Sequence, residues 1–265
     1  MENQRIVIIT GASSGIGLAA CRLFLEKGDK VYGVSRRPCP EEGVISLAAD
    51  ITDEAQVRAF IDEVISKEGR IDVLVCNAGF GISGAVEFTE LSEAKRQFDV
   101  NFFGTAACIK AALEPMRKRR AGAIIVTSSV AGALSIPFQA YYSATKAALN
   151  SLVLATANEV RPFGISVCAV LPGDIKTGFT EARAKEAAGE SEYKALKKSV
   201  QTMEHDEQNG MPPSAIAKRM YALSKQKHPK PLSSVGLQYK ACCLLGKILP
   251  TRLSNWIVGK MYANG

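Results

Sequence analysis

The sequence has no CxxC pair and only two histidines, at positions 205 and 228. Its seven cysteines are odd in number and irregular in spacing, so neither a disulfide framework nor a zinc cluster is expected. Cys76 and Cys168 sit in apolar runs and read as small core residues. No apolar run approaches the roughly 18 residues of a membrane-spanning helix. The first, Ile6 to Ile9, leads straight into a glycine-rich turn and is too short for a signal-peptide core. The expected compartment is the reducing cytoplasm. The 22 glycines and 11 prolines follow no G-X-Y period, which excludes a fibrous repeat. With 47% hydrophobic and 22% charged residues over 265 positions, the composition is that of a folded chain and not of a disordered one.

Acidic residues are missing from one region altogether. Residues 208–265 hold nine of the 33 Lys and Arg and no Asp or Glu, leaving 24 basic against all 26 acidic side chains elsewhere. The net charge of +7 therefore belongs to the C-terminal fifth. Its cations are singly spaced and not interleaved with aromatics, so a nucleic-acid partner is not expected. Attraction to anionic lipid, an anionic substrate, and a merely solvated basic surface all stay open.

What is present alternates between two patterns. Arg5 to Thr10, Lys30 to Val34, Val44 to Ala48, Ile71 to Cys76, Ala123 to Thr127 and Ile165 to Val170 read as buried strands. Helical spacing follows Gly17 up to Gly28, then from Asp53 to about Lys67, over 91–118, and from Gln139 to Arg161. This rhythm predicts an α/β fold, a single-domain doubly wound parallel sheet (a Rossmann fold) of about seven strands. We place the domain at 1–236 and a basic amphipathic tail at 237–265. Residues 174–228 break the rhythm. They follow strand six, where ligands bind at the carboxyl ends of such sheets, and read as a substrate lid.

Thr10-Gly-Ala-Ser-Ser-Gly-Ile-Gly17 lies between a strand and a helix. Gly11, Gly15 and Gly17 allow a sharp turn, and Ser13, Ser14 and Ile16 complete a loop whose N–H groups can meet phosphate at a helix N-terminus. The spacing is G-x-x-x-G-x-G, not the usual G-x-G-x-x-G. Strand two ends in Ser35-Arg36-Arg37, with no carboxylate to bind a ribose 2′-OH. Two guanidiniums suit a 2′-phosphate instead, so the expected cofactor is NADP(H).

Tyr-x-x-x-Lys occurs three times: Tyr142/Lys146, Tyr193/Lys197 and Tyr221/Lys225. Only the first lies between strands five and six, with a serine, Ser129, thirteen residues upstream at a strand end. On a helix, i and i+4 share a face. A cation at about 4 Å in a partly buried site is worth up to about 4 kcal/mol before desolvation, which would bring the phenol toward acid–base range. Ser129 can donate to a substrate oxygen as charge develops there.

These residues, with Asn77-Ala78-Gly79, Asn101 and Pro172-Gly173 in order over residues 4–178, resemble a classical short-chain dehydrogenase/reductase. The resemblance implies Tyr142 as acid/base and Lys146 as the group that lowers its pKa and holds the nicotinamide ribose. It implies Ser129 as the carbonyl polariser and Asn101 as holder of a proton-relay water. It also implies that Asp50 and Ile51 meet the adenine, that Asn77 to Gly79 border the adenosine ribose, and that Pro172, Gly173, Ile175 and Thr177 frame the nicotinamide. The resemblance further implies a homodimer or homotetramer built through the helices before strands five and six.

The apolar surroundings, including Leu134, Phe138 and Phe179, favour a small hydrophobic alcohol or ketone, steroid- or lipid-like. A carrier-linked 3-ketoacyl chain is the alternative, and a non-catalytic NADP-binding sensor is a second. In the tail, Leu237, Ala241, Leu244, Leu245 and Ile248 form one apolar stripe. Leu253, Trp256, Ile257 and Met261 form another beyond Pro250, with Lys240, Lys247, Arg252 and Lys260 among them. Such a pair over 237–264 can rest on a membrane surface, fold over the substrate mouth, or pack on another subunit.

Overall fold

A computed structural model describes residues 4–179, 183–185 and 188–263. Seven parallel strands form one sheet in the order β3-β2-β1-β4-β6-β7-β9. They are β1 (Ile6–Thr10), β2 (Lys30–Ser35), β3 (Ile45–Ala48), β4 (Val73–Cys76), β6 (Gly122–Thr127), β7 (Ile165–Leu171) and β9 (Leu232–Ser234). A separate pair, β5 (Ile82–Ser83) and β8 (Ala184–Lys185), is also parallel. The doubly wound sheet is as expected. Its seventh strand, β9, was not located by pattern: it is three residues long and follows Pro231.

Successive strand residues point to opposite faces, and β1 divides accordingly. Ile6 and Ile8 pack with helices α2 (Glu54–Glu68), α4 (Thr105–Arg119) and α5 (Ala140–Val160). Val7 and Ile9 pack with α1 (Gly15–Glu26) and α7 (Pro213–Ser224). Both faces are covered, which is why these strands read as unbroken apolar runs.

Three boundaries differ from the expected ones. The helix expected over 91–118 is α3 (Leu91–Phe98), a π-helical turn at Asp99–Gly104, and then α4. Such turns carry no sequence period of their own and occur often at functional sites. The strand expected from Ile71 begins at Val73, and Asp72 anchors its entry: its Oδ2 accepts from the Ile6 N–H at 2.7 Å, and Arg70 and Arg119 pair with it.

The third correction concerns the lid. Its residues 180–182 and 186–187 lie outside the described residues. Helix α6 (Ala195–Gln208) stands at the cleft, but α7 does not. Ile216, Ala217, Met220 and Leu223 are fully buried against α1 and the sheet. Within 174–228, α7 is thus core. Beyond β9, α8 (Leu237–Ile248) and α9 (Thr251–Tyr262) form a hairpin turned at Pro250. No helix among the described residues is long and apolar enough to cross a membrane.

Candidate active site

Where β1 lies between β2 and β4, connections leave in opposite directions, and the carboxyl ends of the strands open into a crevice. One cavity of about 810 Å³ occupies it. Gly11, Ser13, Ser14, Gly15 and Ile16 line one end, with Arg36, Arg37, Asp50 and Ile51 beside them. Asn77, Ala78 and Gly79 lie in the middle, and Pro172, Gly173, Ile175 and Thr177 border the other end with Ser129, Tyr142, Lys146 and Phe179.

Gly17 does not line the cavity. Its role is close packing: a Cβ there would lie 2.1 Å from the Gly11 carbonyl oxygen and 2.6 Å from Asn77 Nδ2. Gly11 has φ +69°, and a Cβ on it would meet Ala78 Cα at 2.9 Å. The first turn of α1 therefore rests directly on the loop. Ser14, at the N-cap, makes no side-chain capping bond, which leaves first-turn N–H groups for a ligand. A glycine cradle at a bare helix N-terminus, continuous with a cleft, fits a dinucleotide. Its residues would hold the pyrophosphate at Ser13–Ile16 and the ribose between Asn77 and Lys146.

The cradle is braced from below. Thr10 Oγ1 accepts from the N–H groups of Asn77 and Ala78 at 3.0 and 3.1 Å. Asn77 Nδ2 donates to the Thr10 carbonyl, and Thr127 Oγ1 donates to Asn77 Oδ1, both at 3.2 Å. One amide joins the ends of β1, β4 and β6. Asp50 accepts from Thr52 through N–H and hydroxyl at 3.0 and 2.8 Å, and these bonds, with Arg36 nearby, hold its carboxyl below the usual range.

Tyr142 and Lys146 sit one turn apart on α5, with Lys146 Nζ 5.6 Å from the Tyr142 ring centre. Ser129 caps the short 3₁₀ turn Val130–Gly132, its Oγ accepting from the Ala131 N–H at 3.1 Å. The same Oγ donates to the Pro172 carbonyl at 3.5 Å, and Ser129 lines the cleft together with Tyr142. Serine, phenol and ammonium thus converge at one end of the cleft.

The expected electrostatics need correction. Burial pushes the Tyr142 phenol up to about 12, although neighbouring Ser129 and the Arg183 charge pull it down. Burial also pulls Lys146 down to about 8. The ammonium does not point its hydrogen bond at the phenol; it donates to the Thr127 carbonyl at 2.8 Å. Burial holds the Tyr142 phenol above its ordinary value, and Lys146 is not among the groups that lower it.

Asn101 lies in the π-helical turn, fully buried, and does not line the cavity. Its Oδ1 accepts from the Phe80 N–H at 3.0 Å; its Nδ2 donates to the Phe80 carbonyl at 3.0 Å and to Thr145 Oγ1 at 3.2 Å. The amide side chain is committed to holding the chain after Gly79 against α5, which is a positioning role. Of the three apolar candidates, only Phe179 faces the cleft, its ring centre 5.9 Å from that of Tyr142. Leu134 points away and packs under Gly246 of α8. Phe138, held at φ +60°, packs edge-on to Tyr193.

Sequence reasoning missed the roof. Tyr239 of α8 and Tyr262 of α9 line the cavity, with Gln139, Met203 and Glu207. Tyr239 Oη donates to Asp174 Oδ2 at 2.7 Å. Its ring lies on Gly173 so closely that a Cβ there would be 2.1 Å away. Glu207 pairs with the buried Arg183, which stacks by Phe179. One signal was available: both tail tyrosines fall on the helix side opposite the apolar stripes.

The fold and this site define an oxidoreductase of the short-chain type. Residues 5–188 match the family described as short chain dehydrogenase, and the chain belongs to that family. It is 41% identical over 236 residues to 3-ketodihydrosphingosine reductase of Bacteroides thetaiotaomicron, covering 88% of each chain. Among solved structures, it resembles a short-chain dehydrogenase from Streptomyces avermitilis at 29% identity and a TM-score of 0.85, covering 98% of this chain and 97% of that one. It also resembles ElxO with NADP bound, at 28% identity and a TM-score of 0.75, covering 90% and 100%.

Proposed function

We propose that this protein is an NADPH-dependent reductase of a hydrophobic, lipid-like ketone, with Tyr142 as the proton donor. The observation that carries the reading is the continuity of one cavity from Arg36 and Arg37 to Ser129 and Tyr142. Two guanidiniums and no carboxylate at the end of β2 favour a 2′-phosphate through charge-assisted bonds. The similarity to ElxO, whose structure has NADP bound, and to 3-ketodihydrosphingosine reductase agrees with both halves of the reading.

When bound, the reduced nicotinamide supplies the hydride. The chain supplies the rest. Ser129 donates to the carbonyl oxygen and Tyr142 to the same atom, so charge developing on oxygen meets two oriented donors. The neutral phenol of Tyr142 carries the proton that the oxyanion forming on the substrate takes up. Lys146, fixed by Thr127, orients a ribose and keeps positive charge beside the phenol as it ionises. Phe179 and Met203 give the substrate an apolar wall.

The test is turnover of hydrophobic ketones with NADPH and with NADH, followed by cofactor absorbance. NADPH is expected to be preferred. Tyr142→Phe is expected to lose about a thousandfold in turnover while still binding NADPH. A variant that keeps its rate overturns the acid assignment.

A further inference from the structure

Helices α8 and α9 have two working sides. Tyr239 and Tyr262 face the cavity, Gly246 rests on Leu134, and Val258 is buried. The opposite side is apolar and, among the described residues, uncovered. Ile248 is 67% exposed and Trp256 59%, with Leu237, Leu244, Leu245, Leu253 and Met261 exposed around them. A surface helix of a globular protein ordinarily turns its apolar stripe to the core; these two turn it outward.

Charge tells what covers it. Lys240 and Lys247 flank the stripe of α8, Arg252 and Lys260 that of α9, and no acidic residue occurs anywhere in 208–265. Lys260 Nζ lies 5.8 Å from the Trp256 ring. A second copy seated on this face by a twofold axis would bring like charges together, with no acid to offset them. An anionic lipid surface offers both an acyl boundary for the stripe and phosphates for the cations.

We infer that the α8–α9 hairpin is an interfacial membrane-docking element for bilayers containing anionic lipid. The chain lies on the surface and does not cross it. Because Tyr239 and Tyr262 line the cavity from the inner side of the same helices, docking sets the wall of the active site about one helix diameter, ~10 Å, from the lipid. This inference stands whether or not the proposed reductase activity does, since binding and turnover are read separately.

Trp256 is the only tryptophan of the chain and sits on the exposed stripe, so emission reports the contact directly. The full chain is titrated with vesicles of mixed phosphatidylglycerol and phosphatidylcholine. A blue shift is expected, with quenching by lipids brominated near the top of the acyl chain, and weaker partitioning into phosphatidylcholine alone. The triple variant Leu244→Glu/Leu245→Glu/Ile248→Glu is expected to partition about tenfold less or worse, with NADPH turnover on a water-soluble ketone unchanged. Unshifted emission at saturating lipid overturns the inference. So does a triple variant that partitions like the parent, or a shift that follows protein concentration without lipid, which would mean a second copy covers the stripe.

Discussion

Helices α7 and α8 are each twelve residues long, amphipathic and free of acidic side chains. Yet Ile216, Ala217, Met220 and Leu223 of α7 vanish against α1, whereas α8 has no buried residue. The difference lies in what each stripe can reach. The α7 stripe meets Phe24 and the β-branched face of β1; every such face is already taken when the chain arrives at α8. Amphipathicity tells that a helix has a partner and leaves open whether the partner is the chain itself. The largest expected effect makes this contrast quantitative. Ile216→Ala should cost about 4 kcal/mol of unfolding free energy by denaturant titration, while Leu245→Ala should stay within about 0.5 kcal/mol. Equal costs would mean that the two helices are equally part of the core.

A second contrast sits inside the buried half, between residues held for stability and one held against it. Lys146 is buried and its amine is drawn from 10.5 to about 8. A lysine with a lowered folded pKa destabilises the fold wherever it is charged in both states. That cost is full below about pH 8 and fades as pH rises toward 10.5. Lys146→Met removes it but also loses the bond to Thr127. The dinucleotide-free variant should therefore be about 2 kcal/mol more stable at pH 7, with the gain shrinking toward pH 10, and should lose its turnover. A variant less stable at pH 7 would place the lysine among the structural residues.

The same division separates what pattern could reveal from what it could not. The glycine loop, Asn77, Ser129 and the Tyr142–Lys146 pair are each carried by residues close in sequence to a strand end or on one helix face. Local chemistry therefore announced them. Arg36 belongs with them, as the residue directly after β2. The π-helical turn at Asn101 was hidden, because it preserves a helical composition while changing the backbone register. Leu134 and Phe138 were assigned to the cleft by nearness in sequence to Tyr142. Their side chains instead went to α8 and Tyr193, partners more than fifty residues away. Tyr239 and Tyr262 were missed for the complementary reason: only the folded hairpin brings them to Gly173 and Asp174.

Arg36 tests the legible half at smaller scale. It is exposed and lines the adenosine end of the cavity. Arg36→Ala should raise KM for NADPH about tenfold and leave KM for NADH nearly unchanged, read from initial rates with one ketone. A matching rise for both cofactors would assign the guanidinium to general attraction and not to the 2′-phosphate.

Tyr239 joins the two regions and carries the smallest expected change. Its hydroxyl, pushed up to about 12 by burial and by the Asp174 acceptor, stays protonated through the working range and keeps donating to that carboxylate. Removing the oxygen alone leaves the ring seated on Gly173, so Tyr239→Phe should cost about 1 kcal/mol and shift KM for a hydrophobic ketone a few-fold with little change in kcat. Tyr239→Ala removes the ring as well and opens the roof, so its effect on KM should exceed that of the phenylalanine variant. If both variants leave KM untouched, the hairpin shelters the cleft without taking part in substrate binding, and its outward stripe becomes the main reason for its presence. If KM moves in the expected order, one pair of helices serves two surfaces: tyrosines toward the ketone, leucines and Trp256 toward whatever lies outside.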